Sequence, residues 1–312
     1  MQIALLNLIS TPAAVLPSLG LRLGIGFSSE DPMVGRHPSE PYDMHLSVYA
    51  PDGGLARRLA LGRIAPHRRR LLDASSLVEP FGFDGDHLVV AHRVPARLAD
   101  RHGAIDVPVA VSERVGYDYF RTYVQYGYPE GRGAHGSVIY EVPPRFNEAI
   151  PGAQPPVVLT FTTKIVLSET VTTCVALINY STNPRYATTA DYRFAAHAGD
   201  GSQAAAGACA VPPFSVRVID LGRVIPDHEA ARARDPHDGL SHFCFYGICE
   251  NAAVAVVVLN LAPAAGGVSV EHTHPTQSYV LAPAAEKQRI KREAIVGWRG
   301  LVPAASGARQ PA

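Results

Sequence analysis

A strand-and-turn unit recurs along this chain, and a recurring supersecondary unit constrains the architecture before any motif is read. In the first half Asp52-Gly53 opens a stretch that reaches Pro66 and closes at Asp73; in the second, Asp200-Gly201 opens one that reaches Pro213 and closes at Asp220. Asp to Asp is 21 residues in one copy and 20 in the other, and Pro to Asp is seven in both. Each copy reads as strand, Asp-Gly turn, strand, Pro-initiated strand, Asp-closed strand, loop, apolar strand. The last strand is His87 to Val94 in the first copy and Phe243 to Leu259, in pieces, in the second. Internal duplication is the expectation that follows.

The residues between these landmarks predict strands. The 27 glycines and 26 prolines are spaced as punctuation. Between them lie β-branched and aromatic runs: Leu21–Phe27, His45–Tyr49, Leu88–Ala91, Val157–Thr163, Thr173–Tyr180 and Val254–Leu259. The Asp-Gly pairs read as hairpin turns, because glycine accepts the positive φ such turns require. Helical patterns are scarce: a basic one from Ala284 to Trp298, and His228–Arg234, which has room for two turns at most. The expected fold is all-β: two tandem antiparallel β-sandwich domains, immunoglobulin-like or jelly-roll-like, related by duplication, with a short C-terminal helix. A chain of 312 residues fits two cores of about 150 better than one. The expected division is residues 1–142, a linker at 143–156, a second sandwich at 157–302 and a disordered tail at 303–312. Five prolines in the 14 residues of 143–156 remove donors and favour extended backbone.

Charge excludes some functions. Lys plus Arg and Asp plus Glu are both 28, which removes any bulk electrostatic case for nucleic acid or an anionic membrane. No run of 18 apolar residues is present, so no spanning helix is expected. The N-terminal stretch lacks the basic residues of a secretory signal, and a soluble cytoplasmic protein is the expectation. The excess of Arg over Lys and the abundance of Ala fit a GC-rich bacterial genome. Cys174, Cys209, Cys244 and Cys249 read as buried free thiols, since no spacing matches a structural zinc site.

Two groups of residues invite a functional reading. Tyr117, Tyr119, Tyr123, Tyr126 and Tyr128 fall within 12 residues and are followed by His135, Ser137 and Tyr140. Partly exposed tyrosines make rigid amphipathic surfaces, so Tyr119, Tyr123, Tyr126, His135 and Tyr140 are the candidate ligand-binding residues. The alternative is cross-strand packing. His272 and His274, two apart on a predicted strand, would point to the same side and present two imidazoles to one metal such as zinc or iron. His135, His242 or Glu141 would have to supply a third ligand, and Glu141 or Glu271 a general base. The segments His135–Tyr140 and His274–Tyr279 read as corresponding ends of the two copies.

Other features carry less. Asp73 and Asp220 read as Asx-type caps at strand ends rather than catalytic carboxylates. Ser137 has no nucleophile elbow around it, and Gly131–Gly136 lacks the Lys-Ser/Thr end of a phosphate loop. His67–Arg70 with Arg57, Arg58 and Arg63 reads as a local positive face, a solvated turn by preference given the neutral chain, with an acidic partner or polyanion as the alternative. The stretches Thr173–Tyr180 with Ala190–Gly201, and Pro66–Asp73, resemble the small β-sandwich of the sensory-rhodopsin transducer family. The matching residues are generic strand and turn types, and no activity carries across. The preferred expectation is a soluble binding or assembly protein that recognises a small molecule, glycan or protein partner without a cofactor, with homo-oligomerisation open to it. A metal-dependent enzyme built on His272 and His274 is the alternative.

Overall fold

The fold comes from a computed structural model, which describes residues 9–28, 41–66, 68–96, 99–100, 123–130, 136–139, 157–181, 186–252, 254–272 and 284–304. The first half holds β1 (Ile9–Val15), β2 (Arg22–Ser28), β3 (Tyr42–Tyr49), β4 (Leu55–Ile64), β5 (Arg69–Asp73), helix α1 (Ala74–Val78), β6 (His87–Pro95), β7 (Tyr123–Gly127) and β8 (Gly136–Ile139). The second half begins with β9 (Val158–Leu167), β10 (Thr172–Asn179), β11 (Ala190–Ala198), β12 (Gln203–Val211) and β13 (Ser215–Asp220). It continues through short helices α2 (Leu221–Val224) and α3 (Asp227–Arg232) to β14 (Ser241–Cys249), β15 (Val254–Ala262), β16 (Gly267–His272) and helix α4 (Ala284–Leu301).

The sheets of the first half run β1-β6-β3-β4 and β5-β2-β7-β8; those of the second run β9-β14-β11-β12 and β13-β10-β15-β16. Each strand of the first half thus has a counterpart eight strands later in the same place, and the pairs are antiparallel. Common topology is what the structure shows; descent of the halves from one ancestor rests on the sequence pattern alone. The segment Phe243–Leu259 is not one broken strand. It comprises β14, the counterpart of β6, and β15, the counterpart of β7, in different sheets. His135 precedes β8, whereas His274 lies beyond β16, so the two do not mark equivalent ends of equivalent strands.

The recurring residues do equivalent local work. In the β3–β4 turn the amide of Gly53 donates to Ala50 O at 2.9 Å and Gly54 N–H donates to Asp52 Oδ1 at 2.9 Å. In the β11–β12 turn Gly201 N–H donates to Ala198 O at 2.9 Å and Ser202 N–H to Asp200 Oδ1 at 2.9 Å. Gly53 and Gly201 have φ of +91° and +82°, a region that costs an L side chain strain. Asp73 caps α1 by accepting from Ser76 N–H at 3.1 Å, and Asp220 caps α2 by accepting from Gly222 N–H at 3.0 Å. Each carboxylate thereby satisfies a first-turn amide that has no partner inside its helix.

Alternation sorts the side chains into the interior. Leu23, Ile25 and Phe27 of β2 share a core with Tyr42, Met44, Leu46 and Val48 of β3. In the second half Tyr192 and Phe194 of β11 and Phe243 and Phe245 of β14 meet Val175 and Leu177 of β10 and Val256 and Val258 of β15. The other faces of β10 and β15 are buried too: Cys174, Ala176, Ile178, Val257, Leu259 and Leu261 belong to the core of the first half. Burial on both faces explains why these two strands read as continuous apolar runs rather than alternating ones. The β13-β10-β15-β16 sheet thus lies between two apolar cores and lines both of them. The Pro-rich segment 143–156 lies outside the described residues, as does most of the tail.

An aromatic joint fixes the halves against each other. Phe214, between β12 and β13, stacks on Tyr49 of β3 with ring centroids 5.1 Å apart and planes 3° from parallel. Tyr180 and Tyr186 meet it edge-on at 6.2 and 5.8 Å. Phe214 holds φ of +56°, a strained value for a side-chain-bearing residue, and the three ring contacts offset that strain.

Helix α4 covers the outer face of the β9-β14-β11-β12 sheet. Trp298 meets Tyr246 and Phe161 at 5.6 and 6.4 Å, and its indole N–H donates to Thr160 O at 3.0 Å. Arg299 donates to Glu250, which Arg193 also engages at 2.6 Å. The Arg299 hydrogen bond, working against partial burial and helped by Arg193, holds the Glu250 carboxyl below the usual range. The apolar anchor outweighs the charges here. Trp298→Ala is expected to lower stability by about 2–3 kcal/mol, the cost of removing a half-buried indole, and Arg299→Ala by at most about 1 kcal/mol, since its partner is partly solvated. Urea unfolding of both variants checks the ranking.

Candidate ligand-binding face

The outer face of the β5-β2-β7-β8 sheet departs from ordinary solvent-facing sheet. With Leu23, Ile25 and Phe27 turned inward, β2 presents Arg22, Gly24 and Gly26 outward. Gly26 lies opposite Tyr123 on β7 and Leu71 on β5; Gly24 lies opposite Gln125 and Asp73. A Cβ on Gly26 would fall 2.0 Å from the Tyr123 ring, and one on Gly24 would fall 3.3 Å from Leu71 Cδ1. The two glycines thus leave a trough into which an aromatic ring and a branched side chain lie down on the backbone. Tyr123 stays half-exposed and Leu71 is 55% exposed. Gln125 flanks the platform with a half-buried amide, and the Arg22 guanidinium, bonded to Asp73 and Ser76, closes one end.

The sequence-predicted tyrosines separate by depth. Tyr123 lies on this face. Tyr126, three positions along β7 and so on its opposite face, is 1% exposed and donates its hydroxyl to Ala14 O at 2.9 Å, bridging the two sheets of the first sandwich. Burial pushes that phenol above its ordinary range, and a ring so enclosed presents no face to a sugar. Parity along β7 is the physical reason: Val124 and Tyr126 point in, Tyr123 and Gln125 out. Tyr119, His135 and Tyr140 lie outside the described residues. Leu71, Gln125, Gly24 and Gly26 were missed as site residues. The readable signal was two glycines at alternate positions of an otherwise apolar strand.

His272 ends β16 opposite Val257, and His274 lies outside the described residues, as does Glu141. Glu271 pairs with Lys164 at 2.6 Å, and His242 Nε2 lies 2.8 Å from Asp238 Oδ2. Among the described residues no group of three or more His, Cys, Asp or Glu side chains is placed to hold a metal ion. All four thiols are free, but only Cys174 and Cys249 are buried; Cys209 and Cys244 are half-exposed, because β12 is a sheet edge and Cys244 sits on the outward parity of β14. The basic face on β4 and β5 is partly neutralised: Arg63 binds Asp43 and Asp100, each at 2.6 Å, and Arg70 donates to Leu61 O. No helix among the described residues is long and apolar enough to cross a membrane.

No family model matches the chain, and no curated protein does. Among solved structures, it is similar to a glycosyl hydrolase family 2 member from Bacteroides cellulosilyticus, with 8% identity and a TM-score of 0.19 over 83% of this chain and 27% of that one. It is also similar to a β-glucuronidase from glycoside hydrolase family 2, with 9% identity and a TM-score of 0.18 over 84% of this chain and 23% of that one. The chain spans about a quarter of the length of these structures.

Proposed function

We propose that this β-sandwich protein is a non-catalytic binding protein whose β5-β2-β7-β8 face takes a saccharide ring. The observation that carries the reading is Tyr123, laid flat over Gly26 with its other side toward solvent and an exposed Leu71 beside it. A sugar ring has an apolar face and a rim of hydroxyls. A flat aromatic platform matches the first, and the Gln125 amide and Arg22 guanidinium match the second. Tyr119, His135 and Tyr140 extend the proposal along the same stretch of sequence. The size of the platform suits one or two rings, so affinity is expected to be modest.

A glycan array with the full chain identifies the ligand, and calorimetry on the strongest hit tests the site. Tyr123→Ala is expected to weaken binding at least about tenfold, the scale of an aromatic anchor, while Tyr123→Phe keeps most of the affinity. Equal binding by the alanine variant and the parent protein removes this face as the site, and an array with no hit removes the saccharide reading.

A further inference from the structure

The free edges of these sheets are defended unequally. In the first half the edge strand β4 carries Arg57, Arg58 and Arg63, and its register against β3 shifts twice. Charged side chains and irregular register are the ordinary means of stopping an edge from pairing with another chain. The other long edges carry similar devices: β1 has Pro12 and β9 has Lys164. The counterpart of β4 in the second half is β12, Gln203–Val211, with the sequence Gln-Ala-Ala-Ala-Gly-Ala-Cys-Ala-Val. Nine residues long, it has no charge and no proline, and its register against β11 shifts once, next to the turn, and runs regularly from Ala205 to Val211. Among the described residues no strand pairs with its outer side, and of its carbonyls Val211 O accepts from the Asn179 amide at 2.9 Å, at the end of the strand.

From this asymmetry we infer that β12 is the docking edge for a second copy of this chain, pairing antiparallel with β12 of the partner to join two β9-β14-β11-β12 sheets into one. A two-fold pair of identical strands places the same residues on both sides of the seam. With β4 that would set arginine near arginine; with β12 it sets small neutral side chains together, and main-chain hydrogen bonds form without repulsion. The side chains of Ala206 and Ala210 are exposed beside the seam, and nothing bulky among them holds the partner backbone away. One strand pair buries less surface than a permanent dimer requires, so the association is expected to be reversible and concentration-dependent. The ligand face lies on a different sheet in the other half and plays no part in it.

Sedimentation equilibrium of the full chain over a hundredfold range of concentration tests the inference. The parent protein is expected to shift from monomer to dimer. Ala206→Lys/Ala210→Lys, which adds charge only at exposed positions, is expected to stay monomeric with an unchanged circular dichroism spectrum, and Arg57→Ala to dimerise as the parent does. Hydrogen exchange on the parent protein supplies a readout that needs no variant: amides of β12 gain protection as concentration rises. A parent protein that stays monomeric throughout overturns the proposal. So does a dimer that the double lysine variant forms equally well, or one that leaves β12 exchange unchanged.

Discussion

Gly53→Ala is expected to destabilise the protein by more than about 3 kcal/mol, whereas Gly201→Ala, the same change at the equivalent turn, is expected to cost about 1–2 kcal/mol. Both glycines hold positive φ, +91° and +82°, so both variants carry the left-handed strain of an L residue. Their surroundings differ. A Cβ on Gly201 meets nothing within 4 Å, but one on Gly53 falls 2.1 Å from the carbonyl oxygen of Pro213. That oxygen is backbone, in the β12–β13 turn beside Phe214, and cannot swing aside like the end of a long side chain. The alanine variant must reshape the turn or push the halves apart and loosen the Tyr49–Phe214 stack. Urea unfolding of the two variants measures the difference, and a transition that splits into two steps only for Gly53→Ala would report uncoupled halves. Equal losses at the two positions would mean that the β3–β4 turn is not seated on Pro213.

That the same Asp-Gly pair is a solvent turn in one half and a wedge in the other marks what the sequence made legible. Local chemistry was readable. The Asp-Gly turns, the caps at Asp73 and Asp220, the apolar strands and the helix ending near Trp298 all follow from residues close together in the chain. β4, β5 and β12 were legible only from the Asp-Gly, Pro and Asp landmarks that flank them, because edge strands are free to carry arginine or a run of alanine in place of the alternation that marks a half-buried strand. Depth was also hidden. Tyr123 and Tyr126 look alike in sequence, and only the register of β7 against β2 puts one outside and the other in the core. The candidate face was half legible for the same reason: its tyrosine stood out by type, while Leu71 and Gly26 acquire meaning only across strands. Nor did any local pattern announce Phe214, whose partners Tyr49 and Tyr180 come from different halves.

Acid is expected to unfold this protein well before its carboxylates are neutralised, and His92 is the reason. It sits on β6 directly across from His45 on β3, 2% exposed, with Nε2 3.0 Å from Ser47 Oγ. Burial first, then the neighbouring His45 and Arg58, push its pKa from 6.5 down to about 3. The unfolded chain takes up a proton at this imidazole as pH falls below about 6.5, while the folded chain refuses it until near pH 3. Stability from His92 is therefore complete above pH 6.5 and declines as pH drops, by up to about 1.4 kcal/mol per unit and on the order of 4 kcal/mol across the window. That is comparable to the whole margin of many domains. His45 and His87, also pushed down by burial, add losses of the same sign. Carboxylates such as Glu250 contribute only at lower pH, because their folded values are depressed and their stabilisation holds until the acid range is reached. Between pH 6.5 and 5 the imidazoles thus act almost alone. His92→Gln keeps a polar group for Ser47 and removes the titration, so its unfolding free energy is expected to fall less steeply over that interval, even if it starts lower at pH 7. Parallel pH slopes for the variant and the parent protein would show that His92 is solvated or already charged, and with it that the face of β6 opposite Ser47 is open to water.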